Sequence, residues 1–228
     1  MKFLSVIPAR SGSESIKRKN LFLINKKPLI QYTFEESRKS KIKKTYLLSD
    51  DLKIKKLAKK FNINTDYYRA KNLSKNNSSL AALLYDFYNW AKERKISYDY
   101  IVVLQPTSPL RSFRDINLAA KIVKKKKFKS LFSISSSIEH PYETISILKN
   151  KKWKYNLNKA KQYYRRQDFD IKSFFINGAI YIIHKDIIKK RKNYYNNNHG
   201  YYKMPKHRSV EINDLEEAKI VESIIKNL

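Results

Sequence analysis

The sequence contains no cysteine and very little glycine. Because none of its 228 residues is cysteine, disulfides, thiolate zinc sites and cysteine nucleophiles are excluded. Only three residues are glycine, so each one is expected where the backbone takes a positive φ or approaches a ligand closely. No apolar stretch reaches the roughly 20 residues of a membrane span, and Met1 leads directly into a predicted strand without a signal-peptide pattern. We therefore expect a cytoplasmic protein with no membrane partner.

Acidic residues are also scarce. The chain has 20 Asp and Glu against 50 Lys and Arg, a formal charge of +30. Such a charge raises nucleic acid as a partner, but the lysines are dispersed over nearly every predicted helix and turn, and the interleaving of aromatic and basic residues found in RNA-binding sheets is missing. We predict a solvated lysine surface and no nucleic-acid partner. The positive potential would attract an anionic nucleotide and an anionic sugar acid.

Apolar runs and helical patterns alternate along the chain. The pattern predicts strands at 2–7, 45–48, 100–104, 131–134 and 179–183, and helices at 28–41, 52–61, 78–95 and 112–127. This order predicts an α/β fold, Rossmann-like, with three layers and a mostly parallel sheet. The length suits a single domain over residues 1–228. Ligands in such sheets bind at the carboxyl ends of the strands.

Two later segments do not follow this alternation. Residues 143–148 and 152–155 flank Lys149-Asn150-Lys151, a pattern that predicts a β-hairpin. The hairpin belongs to a segment, 141–175, inserted before the sheet resumes, and we interpret this segment as an arm outside the core. Residues 190–203, rich in Asn, Tyr and Lys, are predicted to be a loop.

The first motif lies at the end of the first strand. The apolar run from Phe3 to Ile7 breaks at Pro8 into Ala-Arg-Ser-Gly-Ser at 9–13 and closes on Lys19-Asn20. Exposed backbone amides, an arginine and a lysine on one loop suit an anion. The spacing is not that of a Walker motif, and an ordinary strand-to-helix turn is the alternative.

The second motif follows the central strand. In Leu-Gln-Pro-Thr-Ser-Pro-Leu-Arg at 104–111, two prolines fix the backbone and remove donors. We expect the motif to present Gln105, Thr107 and Ser108 as a polar rim. The alternative is a proline-stiffened turn before a helix cap at Ser112.

Both motifs resemble the signature of the CMP-sialic acid synthetase family, cytidylyltransferases that act on sialic and related nonulosonic acids. The resemblance extends to Asn-Gly-Ala-Ile-Tyr at 177–181 and covers nearly the whole chain. It implies the fold of the nucleotide-diphospho-sugar transferases. It also implies transfer of CMP from CTP to the anomeric hydroxyl of a nonulosonic acid, with release of pyrophosphate. A related sugar nucleotidyltransferase, an inactive nucleotide-binding relative and a basic nucleic-acid-binding protein are the alternatives.

The resemblance also assigns residues to roles. Arg10 and Lys19 would be catalytic, stabilising the α-phosphate and the departing pyrophosphate. The nucleotide would contact Ala9, Ser11, Gly12, Ser13, Asn20, Arg69, Asn77 and Ser78. The sugar would face Gln105, Thr107, Ser108, His140, Arg166, Gln167, Asn177 and Tyr181. Phe174 and Phe175 occupy a region where the family often has an arginine for the sugar carboxylate, so we assign that role to Arg166, whose planar fork is bidentate.

The resemblance further implies a metal and a second subunit. The family ends its sheet with Asp-Ile-Asp, whereas this chain has Glu211-Ile212-Asn213 followed by Asp214. We expect Mg²⁺ to be held by Glu211, Asn213 and Asp214 together with water and the triphosphate. Glu14 and Ser15 also depart from the family pattern. In the family the inserted segment exchanges between two subunits and helps to close the sugar site, so we predict a homodimer formed through the arm.

Overall fold

The computed structural model describes residues 1–149, 151–157, 165–190, 194 and 198–227. The strands are β1 Phe3–Ala9, β2 Leu23–Ile24, β3 Lys27–Pro28, β4 Thr45–Ser49, β5 Tyr100–Leu104, β6 Ser130–Ser136, β7 Ile145–Ile147, β8 Trp153–Tyr155, β9 Phe174–His184 and β10 His199–Lys203. The helices are α1 Leu29–Lys39, α2 Leu52–Lys59, α3 Leu80–Glu93, α4 Phe113–Lys126, α5 Lys185–Lys189 and α6 Leu215–Lys226. None of these helices is long and apolar enough to cross a membrane.

Six strands form the central sheet, in the order β10-β6-β9-β5-β1-β4. β1 is parallel to both of its neighbours, β4 and β5, and β10 is parallel to β6. β9 runs antiparallel to β5 and β6. The mostly parallel α/β fold is therefore confirmed, with one antiparallel strand at the middle of the sheet.

The central strands are apolar on both faces because helices cover both sides of the sheet. In β5, Val102 and Leu104 pack in one cluster with α1, α2 and α4, whereas Ile101 and Val103 pack in a second cluster with α3 and α5. This alternation follows from the two-residue period of strand side chains. The result is the three-layer arrangement that the sequence predicts.

Polar side chains set where several helices begin. Asp51 caps α2 by accepting the amides of Lys53 and Ile54 at 2.7 and 3.2 Å. Ser112 and Asp115 form a reciprocal capping box at the start of α4. The sequence predicts helices from 52 and 112, and with these caps α2 and α4 begin at Leu52 and Phe113. The third helix begins later than predicted, at Leu80, because Ser79 is the residue whose side chain caps it.

The segment between β6 and β9 contains the predicted hairpin, in which β7 pairs antiparallel with β8; position 150 in its turn lies outside the described residues. Contacts between the two ends of the segment close its base: the hydroxyl of Tyr142 donates to Asp170 at 2.8 Å, and the rings of His140 and Phe169 lie 4.3 Å apart. Phe174 and Phe175 already pair with β6. The main sheet therefore resumes before the predicted end of the arm.

The prediction of a loop over 190–203 is wrong for its last five residues. His199–Lys203 form β10, which pairs with β6 over its full length. Gly200 fits against the ring of Phe128, which would lie 2.2 Å from a Cβ at this position. The abundance of Asn, Tyr and Lys obscured this strand, because it lies at the edge of the sheet and keeps polar residues there.

Candidate active site

Two cavities are the main candidates for a binding site. The larger, about 960 Å³, lies at the amino ends of the strands between Phe3, Ile42 and α4, and none of its residues belongs to a sequence motif. The smaller, about 460 Å³, lies at the carboxyl ends of β1 and β5. It is lined by Pro8, Arg10, Gly12, Ser13, Lys19, Asn20, Arg69, Ser78, Leu80, Leu83, Gln105, Pro106, Thr107, Tyr181, Glu211 and Asn213. Because open α/β sheets bind ligands at this end of the strands, we take the smaller cavity as the candidate active site.

Gly12 lies in the loop after β1, which ends at the buried Ala9. A Cβ built on Gly12 would meet no heavy atom of the described residues within 4 Å, and its φ is not in the left-handed region. Of the two reasons expected for a glycine here, positive φ is therefore excluded. Space beside the backbone remains, which suits a ligand that approaches closely.

Asp50 anchors this loop. Its carboxylate accepts the amide of Ser11 at 2.9 Å and the hydroxyl of Ser11 at 2.7 Å. Burial would raise the pKa of Asp50, but the hydrogen bonds from Ser11 outweigh it, and the pKa lies below its ordinary value. Because both donors of Ser11 are already used, the structure makes Ser11 an anchor of the loop, where the sequence predicts a nucleotide contact. Asp50 was missed, although β1 and β4 are adjacent and their ends meet at one edge.

Arg10 and Asn76 join two loops at the mouth of the cavity. The Arg10 guanidinium donates to Oδ1 of Asn76 at 2.6 Å, and the Asn76 amide donates to Glu14. The predicted contact residue Asn77 is exposed and does not line the cavity. Asn76 is also exposed and outside the lining, but it is the asparagine that contacts Arg10, and nothing in the local sequence separates two neighbouring asparagines.

Lys19 reaches the segment before α6. Its Nζ donates to the carbonyl oxygens of Asn213 at 2.8 Å and Ile212 at 3.3 Å. Burial lowers the pKa of Lys19, and the nearby carboxylates, Glu211 first among them, partly oppose this effect. Asn20, the next residue, donates to the carbonyl of Arg10 at 3.0 Å. Lys19 thus brings a cation into the cavity, while Asn20 braces the loop.

Arg69 and Ser78 form the wall beside α3. Arg69 is 6% exposed and donates through Nε to the carbonyl of Leu73 at 2.9 Å. Burial lowers its pKa, and the nearby Asp50 carboxylate partly opposes this. Ser78 donates its hydroxyl to the carbonyl of Asn72 at 2.8 Å. Both residues line the cavity as the sequence predicts.

The second motif supplies two further lining residues, Gln105 and Thr107. Gln105 donates to the hydroxyl of Tyr181 at 3.2 Å, and Thr107 donates to Oε1 of Glu211 at 2.7 Å. Ser108 does not share this rim, because it is 1% exposed and its hydroxyl has no hydrogen-bond partner among the described residues. The tight turn after Pro106 directs Ser108 inward, which corrects the prediction for this residue.

A bulge in β9 makes room for Glu211. The pairing of β6 with β9 shifts register between Phe132 and Ile134, opposite Gly178, whose φ is +71°. A Cβ on Gly178 would lie 2.9 Å from Oε2 of Glu211. Bulges often lie next to active sites. Here a glycine is required both by the left-handed backbone and by the carboxylate above it.

The predicted metal ligands separate in the structure. Glu211 and Asn213 line the cavity, but Asp214 caps α6, its carboxylate accepting the amide of Glu217 at 2.9 Å. This corrects the prediction for Asp214, because the start of a helix uses its side chain. No group of three or more His, Asp or Glu residues suited to a metal occurs among the described residues. The donor set that remains is one carboxylate and one amide oxygen.

Asn177 belongs to the core. It is 1% exposed; its Oδ1 accepts the hydroxyl of Ser133 at 2.6 Å and its Nδ2 donates to Ser209 at 2.9 Å. These contacts hold the β9 bulge against β6 and the segment before Glu211. Asn177 is therefore a buried support of the β9 bulge and does not line the cavity, which corrects its predicted place at the sugar.

The remaining sugar residues lie in or beside the arm. Nδ1 of His140 accepts the amide of Tyr142 at 3.2 Å, and its Nε2 lies 3.1 Å from the carbonyl of Ile171. With both ring nitrogens engaged, His140 is a structural residue of the arm. Arg166 pairs with Glu143 at 3.4 Å. Neither Arg166 nor the exposed Gln167 lines the cavity of its own chain.

Comparisons with known proteins point to one family. A sequence model of the cytidylyltransferase family matches residues 4–226. The chain is 31% identical over 182 residues to a pseudaminic acid cytidylyltransferase of Campylobacter jejuni, covering 79% of this chain and 78% of the relative. It is 30% identical over 201 residues to a CMP-N,N'-diacetyllegionaminic acid synthase of Legionella pneumophila, covering 86% and 83%.

Two further comparisons extend the set. An N-acylneuraminate cytidylyltransferase of Escherichia coli is 28% identical over 224 residues, covering 93% of this chain and 49% of the relative. Among solved structures, a CMP:2-keto-3-deoxy-manno-octonic acid synthetase complexed with CTP superposes with a TM-score of 0.71 at 15% identity, covering 100% of this chain and 99% of the other. At that identity the superposition supports the fold alone.

Proposed function

We propose that this chain, which belongs to the cytidylyltransferase family, transfers CMP from CTP to the anomeric hydroxyl of a sialic-type nonulosonic acid and releases pyrophosphate. The observation that carries the proposal is the meeting of two motifs in one cavity. Arg10, Gly12 and Lys19 come from the first motif, and Gln105 and Thr107 from the second. All five line this cavity at the carboxyl end of the sheet, so it combines cations from the first motif with neutral polar side chains from the second.

The residues of the first motif suit the triphosphate. Arg10 and Lys19 line the cavity, and the open space beside Gly12 lets the backbone approach phosphate oxygens. Arg69 and Ser78 lie on the wall formed by the loop before α3, and we place the cytidine there. The Arg10 guanidinium already donates a hydrogen bond to Asn76, so the bound nucleotide would have to share or replace that hydrogen bond.

The reaction is a direct displacement at phosphorus. The anomeric oxygen of the sugar forms a bond to the α-phosphorus, and the bond from the α-phosphorus to the oxygen that bridges to the β-phosphate breaks. The hydroxyl gives up its proton, and pyrophosphate leaves with the bridging oxygen. Catalysis is then mainly positioning and charge neutralisation, with Arg10 and Lys19 stabilising the phosphates as charge develops on the leaving group.

Mg²⁺ fits the residues present, with the triphosphate as its main ligand. Proteins hold Mg²⁺ through one or two carboxylates together with water and substrate phosphates. Glu211 is the one carboxylate among the described residues that line the cavity, and Asn213 also lines it. These two residues would hold the ion, which supplies charge neutralisation at the phosphates. Thr107 orients Glu211 for this role through its 2.7 Å hydrogen bond.

We further propose that two copies pair through the arm, residues 141–175, and that Arg166 serves the cavity of the second copy. The arm exposes large apolar side chains: Ile147 is 80% exposed and Trp153 is 57% exposed. Clustered exposed apolar residues are typical of an interaction surface. Because Arg166 lies outside the cavity of its own chain, an exchanged arm is the arrangement in which it could bind a sugar carboxylate.

Sedimentation at micromolar concentration tests the pairing. We expect a dimer for the unaltered chain and a monomer for Ile147→Asp combined with Trp153→Asp. The matched control is Ile220→Asp, since Ile220 lies on α6 and is 51% exposed; it should leave the dimer intact. A monomeric unaltered chain contradicts the proposal.

A pyrophosphate-release assay tests the reaction itself. The unaltered chain with Mg²⁺ and CTP is offered neuraminic, legionaminic and pseudaminic acid derivatives and, separately, sugar 1-phosphates. We expect pyrophosphate with at least one nonulosonic acid and none when ATP or GTP replaces CTP. Turnover with a sugar 1-phosphate alone would support a different nucleotidyltransferase. CTP binding by calorimetry without turnover would support an inactive relative.

A further inference from the structure

Arg111 is the largest of the fully buried side chains, at 1% exposure. Its Nη1 donates to the carbonyls of Ala179 at 2.8 Å and Gln105 at 3.1 Å, and its Nη2 donates to the hydroxyl of Thr33 at 2.8 Å. It forms no ion pair with a carboxylate of the described residues. Burying a cation without a paired carboxylate is costly; here both Nη atoms are hydrogen-bonded, whereas Nε has no partner among the described residues.

The three acceptors belong to three different elements. Gln105 begins the loop of the second motif, which lines the cavity. Ala179 follows Gly178 in the bulge of β9, and Thr33 lies inside α1. Glu211 lies above Gly178 and accepts the hydroxyl of Thr107. A single guanidinium therefore joins the loop that carries Thr107 to the β9 bulge that lies beneath Glu211.

Hydrogen bonds within the loop are few and long, although the amide of Ile212 also holds the loop from outside by donating to the carbonyl of Thr107 at 2.8 Å. Pro106 and Pro109 have no amide hydrogen to donate. The turn bonds within the loop are long: the amide of Ser108 reaches the carbonyl of Gln105 at 3.3 Å, and the amide of Arg111 reaches the carbonyl of Ser108 at 3.4 Å. The Arg111 guanidinium adds hydrogen-bond donors to a loop in which two residues have no amide hydrogen.

We propose that Arg111 is a positioning residue for the sugar half of the cavity, holding residues 105–109 against β9 so that Gln105 and Thr107 face the reacting sugar. This inference rests on the proposed function, since it assigns the sugar to Gln105 and Thr107. The loop after β1, which is assigned to the triphosphate, has separate supports, because Ser11 is held by Asp50 and the carbonyl of Arg10 is held by Asn20. Arg111 should therefore affect the two substrates unequally.

The test uses Arg111→Met, which keeps most of the length and removes the donors, and Arg111→Lys, which keeps the charge but lacks the fork. For Arg111→Met we expect kcat/KM for the sugar acid to fall about 100-fold, the effect of a small displacement of positioned groups. The Kd for CTP, measured without Mg²⁺ so that Glu211 does not contribute, should change by less than about threefold. For Arg111→Lys, kcat/KM for the sugar acid should lie between the values of Arg111→Met and of the unaltered chain.

Ser37→Ala is the matched control. Ser37 is 1% exposed and its hydroxyl lies 2.8 Å from that of Thr45, away from the cavity. Ser37→Ala should lower the thermal midpoint. It should leave both kcat/KM for the sugar acid and the Kd for CTP close to those of the unaltered chain. Equal losses for both substrates in Arg111→Met, or no loss beyond that of the control, would overturn the positioning role.

Hydrogen exchange separates this inference from the reaction it rests on. In Arg111→Met the amides of Thr107 and Ser108 should exchange faster, while the amide of Ser11 should not. If the unaltered chain makes no pyrophosphate, the proposed function fails, and exchange still decides whether Arg111 holds the loop. Unchanged exchange at Thr107 and Ser108 overturns the inference even when turnover is normal.

Discussion

Replacing Lys19 by alanine removes the ammonium group that joins the first loop to the segment before α6. Nζ of Lys19 lines the cavity and lies 2.8 Å from the carbonyl of Asn213. A unit charge about 4 Å from a phosphate oxygen is worth about 4 kcal/mol at an effective dielectric constant near 20. If the transition state loses most of this stabilisation, kcat falls by about two to three decades.

Pyrophosphate release under saturating CTP and Mg²⁺ measures this loss. Lys17→Ala is the control, since Lys17 is exposed and does not line the cavity. The thermal midpoint of Lys19→Ala should drop only slightly, because a lost hydrogen bond is worth about 1 kcal/mol. Activity of Lys19→Ala within threefold of the unaltered chain, by the same rate scale, would refute the catalytic assignment, as would an equal loss in Lys17→Ala.

The pH profile gives a second readout for the same residue. Burial lowers the pKa of Lys19, so the ammonium is lost as the pH rises through this lowered value. The rate should therefore fall on the alkaline side at a lower pH than an ordinary lysine would give. Lys19→Arg keeps its charge and should move this decline to higher pH, even where its maximal rate is reduced.

Two further substitutions and one binding measurement test other predictions. Glu211→Ala should lower the rate about 100-fold at saturating Mg²⁺, with the exposed Glu216→Ala as control; an unchanged rate removes Glu211 from the metal site. Burial would raise the pKa of Asp115, but hydrogen bonds led by Arg208 lower it overall. Its stabilisation is therefore complete above the ordinary carboxyl value near 3.9 and is lost as the pH falls through the folded value; Asp115→Asn should reduce the unfolding free energy at pH 7 by about 3 kcal/mol and remove this dependence in urea titrations. DNA should bind no more tightly than nonspecific charge allows, and salt-steep binding that CTP fails to displace would contradict that expectation.

The sequence allowed the layers and the cavity to be predicted because both follow from local patterns. The apolar runs of β1 and β5 have the composition of buried parallel strands, and polar motifs after two such strands must meet at one edge of the sheet. Asp51 and Ser112 were predictable as caps because they precede apolar helical periods. These inferences depend on neighbours in the chain or on the general rule of strand order.

The errors arose where the direction of a polar side chain depends on tertiary packing. Ser108 and Asn177 belong to motifs with polar character, yet a tight turn and a bulge direct both into the core. The roles of Asp50 and Arg111 depend on partners 39 and 68 positions away, at Ser11 and Ala179. Spacing along the chain carries no information about such partners.

A crystal structure of the chain with CTP and Mg²⁺ tests the central claim most directly. We predict that the triphosphate lies against Gly12 and Ser13, between Arg10 and Lys19. A triphosphate bound in the larger cavity at the opposite end of the sheet, with the amino-terminal loop unoccupied, would contradict the account.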